Sequence, residues 1–94
     1  MRVDPNSRKI KILQAVVDRY KDGSVSPLSS EIKEYLARKG IDMNDAALRT
    51  ALVRYARQGL LHREWGARGR GYVYSPNNRT SAVIEYFKHG ENEQ

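Results

Sequence analysis

Apolar residues recur at helical spacing in three successive stretches of this chain. In "NSRKIKILQAVVDRYKDG", Ile10, Leu13, Val17 and Tyr20 fall three or four residues apart, with Val16 beside them, which is the spacing of one helix face. Asn6 or Ser7 supplies a cap and Gly23 a stop, so the pattern predicts a helix over about 8–21. In "SVSPLSSEIKEYLARKG" the stripe is Leu28, Ile32, Tyr35 and Leu36. Ser26 then Pro27 reads as an N-cap and first helical position, where the missing N–H of proline costs nothing. Gly40 stands where a left-handed C-terminal residue belongs, which gives a helix over about 27–39. Residues 24–26 ahead of it are short and suited to a minor strand. In "IDMNDAALRTALVRYARQGLL", Leu48, Ala51, Leu52 and Tyr55 form the stripe. Asp42 or Asn44 caps this helix and Gly59 ends it, over about 44–57.

The period then changes. "LLHREW" and "GYVYS" are β-prone runs joined by a short loop, Gly66 to Gly71, in which Arg68 and Arg70 alternate with glycine. Two such runs around a Gly-containing loop predict an antiparallel hairpin. Its tip carries charge at the point farthest from the core. After it, "SPNNRTSAVIEYFKHGENEQ" predicts a last helix over about 79–89, capped by Asn78 or Thr80, with Val83, Ile84 and Phe87 on its apolar side and a polar tail. The six tyrosines fall mostly at core spacing, and Trp65 reads as packing at a strand end.

Charge sharpens this picture. The net charge is +6, which makes polyanions the default partner class. Between residues 49 and 70 there are six arginines (49, 54, 57, 63, 68, 70), no lysine and one acid, Glu64. At about 100° per residue, Ala46, Arg49, Thr50, Val53 and Arg57 fall opposite the core stripe of the third helix, with Arg54 at the edge. Arginine offers a planar fork of donors that fits phosphate and the guanine edge. Val53 is the odd member of that face.

Other chemistry finds little support. At 94 residues one domain is expected. With no cysteine, disulfides, thiolate metal sites and cysteine nucleophiles drop out. His62 and His89 have no third ligand in sight, so neither a metal nor another cofactor is expected. Capping explains Ser29, Ser30 and Glu31. There is no Ser/His/Asp set, paired-carboxylate site or phosphate-cradling loop, so no enzyme is expected, and no effector pocket stands out. No apolar run suits a membrane span or signal peptide, and a cytoplasmic protein is expected.

The order helix, short strand, helix, helix, hairpin, helix resembles the winged helix-turn-helix superfamily. The likeness is carried by "VSPLSSEIKEYLARKGI", "LRTALVRYARQGLLHRE" and "GARGRGYVYS". Leu48, Leu52, Tyr55, Gly59, Leu60, Leu61, Arg63, Gly69, Gly71 and Tyr72 occupy the family's places. The resemblance implies an α+β, mainly α fold with a three-helix core, a two-stranded wing and an extra C-terminal helix. Residues 1–7 would be an arm, 8–76 the winged-helix core, 77–90 the last helix and 91–94 a tail.

That likeness implies a sequence-specific binder of double-stranded DNA, a nucleoid-associated transcriptional regulator. The third helix would enter the major groove, and the wing would meet the backbone or minor groove. The implied DNA-binding residues are Asn44, Ala46, Arg49, Thr50, Arg54, Arg57, Arg63, Arg68 and Arg70. The last helix is similar to that of PadR-like dimeric regulators, where it pairs subunits. The apolar set Val83, Ile84 and Phe87 can complete the monomer core or build a dimer seam; with the surplus apolar side of the first helix, a homodimer through Ile12, Val16, Val83, Ile84 and Phe87 is favoured. Its recognition helices would lie about 34 Å apart on an inverted repeat. Two alternatives stay open: a DNA-coating architectural or centromere-binding partition protein, and a winged helix that meets protein or RNA, for which Val53 speaks.

Overall fold

The computed structural model describes residues 8–23, 25–66, 69 and 71–92, and of 87–92 the backbone only. Arg68, Arg70, the arm with its Asn6 or Ser7 cap, and the Phe87 side chain lie outside the described residues. Helices α1 (Arg8–Gly23), α2 (Ser29–Arg38) and α3 (Asp45–Arg57) are followed by strands β1 (His62–Trp65) and β2 (Tyr72–Ser75) and by helix α4 (Asn78–Asn92). The fold is mainly helical with one small antiparallel sheet, as the hydrophobic periods predict.

The helix ends follow local chemistry. Asn44, rather than Asp42, caps α3: its side chain accepts from the Ala47 N–H at 2.7 Å. α2 and α3 stop before Gly40 and Gly59, whose φ values of 83° and 77° suit glycine. The start of α2 departs from expectation. Pro27 is not its first residue, because Leu28 is extended and both residues are bound to the hairpin. The Tyr74 N–H donates to the Pro27 carbonyl at 3.0 Å, and Leu28 bridges Val73. The minor strand contact therefore falls at Leu28 and not at Val25 or Ser26; Ser24 lies outside the described residues. Leu28 is the N-cap, and its N–H is satisfied by the Glu31 carboxylate at 2.8 Å.

The core draws on every helix. Leu13 and Val17 of α1, Ile32 and Leu36 of α2, Leu48 and Leu52 of α3, Leu60, Leu61 and Tyr74 form one buried cluster. Two polar contacts tie α1 to α2. Tyr35 donates to Asp18 at 2.7 Å and Arg19 pairs with Glu31 at 3.3 Å. The hydrogen bond to Asp18 is the main reason the Tyr35 phenol is pushed up to about 12, with burial and the charges of Asp18 and Asp22 adding to it.

The surplus apolar side of α1 has a different use from the dimer seam expected of it. Ile12 and Val16 are 1% and 0% exposed within a single chain, where α1 packs against α2, α4 and β2. Ile84 is buried in the same cluster and Val83 packs against it. These four residues complete the monomer core. The tyrosines also divide more evenly than expected. Tyr74 is buried, Tyr35 and Tyr55 border the core, and Tyr20, Tyr72 and Tyr86 are exposed.

α4 is latched at its start, one residue earlier than Asn78. Asn77 accepts from the Arg79 and Thr80 N–H groups at 2.8 and 3.1 Å. Its own N–H donates to the Thr80 hydroxyl oxygen at 2.9 Å. That hydroxyl, wholly buried, donates to the Leu60 carbonyl, and the Asn77 amide donates to the Gly59 carbonyl at 3.1 Å. Thr80→Val keeps the shape and strands these buried groups, so it should cost about 1–3 kcal/mol. Urea denaturation measures this, and an unchanged midpoint would contradict the latch.

Candidate nucleic-acid interface

The outer side of α3 carries the residues that periodicity placed there. Ala46, Arg49, Thr50, Arg54 and Arg57 are exposed. Arg49, Thr50, Val53, Arg54 and Arg57 line one shallow groove along the helix. Asn44, also exposed, has its side-chain oxygen committed to capping.

A second groove runs between α3 and the hairpin. Its walls are Arg49 and Val53 of α3, Leu28, Ser29 and Ser30 at the start of α2, and Arg63, Gly71, Tyr72 and Tyr74 of the hairpin. Strand register explains the hairpin wall. Arg63 pairs with Tyr74 and Trp65 with Tyr72, and opposite residues of an antiparallel pair share a face. Arg63, Trp65, Tyr72 and Tyr74 therefore lie on one side, and Glu64 lies with Val73 on the other. Val53 is half-buried in this groove, because the hairpin folds back along that flank of α3. It is not the exposed apolar residue that the helical wheel implied.

Arg63 is held in place by an aromatic ring. Its guanidinium carbon sits 3.5 Å from the centroid of Tyr72. Stacking uses the face of the cation and leaves the N–H donors, which lie in its plane, turned outward. Trp65 meets the same Tyr72 ring in a T-shaped contact at 5.2 Å and is 61% exposed. It was expected to pack, and it does so only against the rim of this stack. His62 is exposed, 3.7 Å from Glu64.

The charges are segregated. Arg19 pairs with Glu31, Arg38 with Glu34 and Lys33 with Asp45. Among the described residues, no ion pair neutralises Arg49, Arg54, Arg57 or Arg63. Asp45, the one acid at the start of α3, is clasped by Lys33 at 2.9 Å. That hydrogen bond and the charge of Lys33 hold its carboxyl below the usual range, and Arg49 lowers it further. Among the described residues no group of three or more His, Asp or Glu is placed to hold a metal, and no helix is long and apolar enough to cross a membrane.

Sequence reasoning missed the clasp on Asp45, the place of Ser29 and Ser30 in the groove, and the Arg63–Tyr72 stack. The alternation of Arg63, Trp65, Tyr72 and Tyr74 was the available signal for the stack, once the register is known.

Gly66 closes the hairpin. Its N–H donates to the Gly71 carbonyl at 2.9 Å, and its carbonyl accepts from Gly69 at 3.0 Å. A Cβ there would meet Val73 Cγ1 at 2.9 Å and the Gly71 oxygen at 3.0 Å. Gly66→Ala should therefore cost about 1–3 kcal/mol through overpacking. Gly23→Ala, at a site with nothing within 4 Å, should be neutral or stabilising by about 0.4–1 kcal/mol. Denaturation of the two variants side by side checks the contrast. In comparisons with known proteins, no family model and no curated protein matches this chain.

Proposed function

We propose that this chain is a winged helix-turn-helix protein that binds double-stranded DNA with sequence preference and acts as a transcriptional regulator in the cytoplasm. One observation carries the reading. Arg49 and Arg63 face a common groove, with Arg54 and Arg57 further along α3, and none has a carboxylate partner among the described residues. A surface helix shaped only for solubility would mix its charges.

In this reading α3 is the recognition helix. With side chains an α-helix is about 10–12 Å across, which suits a major groove about 12 Å wide. Arg49 takes a base edge, while Ala46 and Thr50 are small enough to allow close approach. Arg54, Arg57 and the stacked Arg63 take phosphates. The hairpin is the wing, with Arg68 and Arg70 at its tip in sequence. A homodimer on an inverted repeat is part of the proposal. Its seam needs surface other than the buried Ile12, Val16 and Ile84, and the outer side of α4 around Tyr86, 66% exposed, offers it. Val53, the residue that speaks for the protein- or RNA-partner alternative, lines both grooves, and pull-down with nucleic acid digested away separates that alternative. The coating alternative is separated by footprint length: a single operator marks a regulator, and extended coverage marks a coating protein.

Arg49→Ala should relax preference at one base-pair position and cost about 1–3 kcal/mol of binding. Arg57→Ala and Arg63→Ala should weaken all sequences alike and each reduce the salt slope by about 1. Binding assays over a panel of single-base variants read both effects. An unchanged preference profile for Arg49→Ala would remove α3 from readout.

A further inference from the structure

Trp65 is poorly explained by folding or by groove-edge readout. It is 61% exposed, whereas Tyr74 on the same hairpin face is 3% exposed. Its orientation is nonetheless defined. The Tyr72 ring meets it at 5.2 Å and 89°, and Tyr72 is itself held by Arg63 stacked at 3.5 Å. A T-shaped contact uses at most one face of the indole, and the side chain is 61% exposed. The structure therefore presents an oriented, exposed aromatic side chain with Arg63 on the same hairpin face.

We propose that Trp65 is a stacking site for an unpaired nucleobase next to the duplex-binding face, which rests on the duplex-binding reading above. A paired base inside a duplex shows only its edges in the grooves. Its flat face is accessible only where stacking is interrupted, at an end, a gap, a bulge or a single-stranded stretch. An exposed indole complements that face and is indifferent to base identity, because every base has one. The charge around Trp65 selects a polyanion. Arg63 lies two residues away on the same hairpin face, and Arg49 lines the same groove as Arg63. Glu64, the nearest acid in sequence, lies on the opposite face with Val73. The protein would thus favour duplex that adjoins an unpaired base over continuous duplex.

Trp65 is the only tryptophan in the chain, so intrinsic fluorescence reports this residue alone. The test compares a blunt duplex with the same duplex bearing a 3′ single-stranded overhang. Tryptophan quenching is followed in the wild-type protein, and affinity by anisotropy of a label on the far end of each DNA. The overhang should quench more strongly and bind tighter by about five-fold or more. Trp65→Ala should abolish that ratio, and Trp65→Phe, which keeps a ring, should retain most of it. Equal quenching and affinity for the two DNAs would overturn the proposal, as would a Trp65→Ala protein that keeps the preference. Overhang binding without blunt-duplex binding would refute the duplex reading alone, and binding to neither would refute both.

Discussion

The candidate site depends on the second edge of β2. One edge pairs with β1, and the other is met by Pro27 and Leu28, through the 3.0 Å hydrogen bond from the Tyr74 N–H to the Pro27 carbonyl and the bridge from Leu28 to Val73. A hairpin with strands of four residues each is not stable alone. Closed on the segment that leads into α2, and anchored by buried Tyr74, it becomes part of the core. The same closure brings Arg63, Ser29, Ser30 and Arg49 to one groove, although they are far apart in sequence. It also delays the start of α2, since residues bound to a strand edge cannot begin a helix.

Electrostatics follows from that geometry. Among the described residues no carboxylate lines either groove, and two acids of α2 and α3 have partners of their own: Glu31 caps α2 and pairs with Arg19, and Asp45 is clasped by Lys33. The arginines of α3 and β1 keep their positive potential. Exposed ion pairs contribute little to stability, about 0–1 kcal/mol each. Their larger effect here is on the sign of the field over the groove. Arg63 gains a further advantage from Tyr72, which fixes its side chain before any ligand arrives and reduces the ordering cost of binding.

Much of this was legible in the sequence. The stripes of α1 to α3, the hairpin around Gly66 to Gly71 and the outward set Ala46, Arg49, Thr50 and Arg57 follow from period and register alone. The misses arise where tertiary contact overrides a local signal. Ser26-Pro27 is a good helix start that β2 claims for its own edge. Ile12 and Val16 look surplus because a single stripe satisfies one neighbour, whereas α1 packs against α2, α4 and β2. Val53 lies outward on an isolated helix and half-buried once the hairpin covers its flank. The Arg63–Tyr72 stack depends on strand pairing, which the hydrophobic pattern does not specify to the residue.

The most direct measurement is binding to a random duplex library at several salt concentrations, with sequencing of the bound fraction. If each subunit neutralises about four to six phosphates, log K should fall against log salt with a slope of about −4 to −5 per subunit, and an inverted repeat should be enriched at physiological salt. Salt-sensitive binding with no enriched sequence would contradict specific readout by α3. No duplex binding at any salt would contradict the account as a whole.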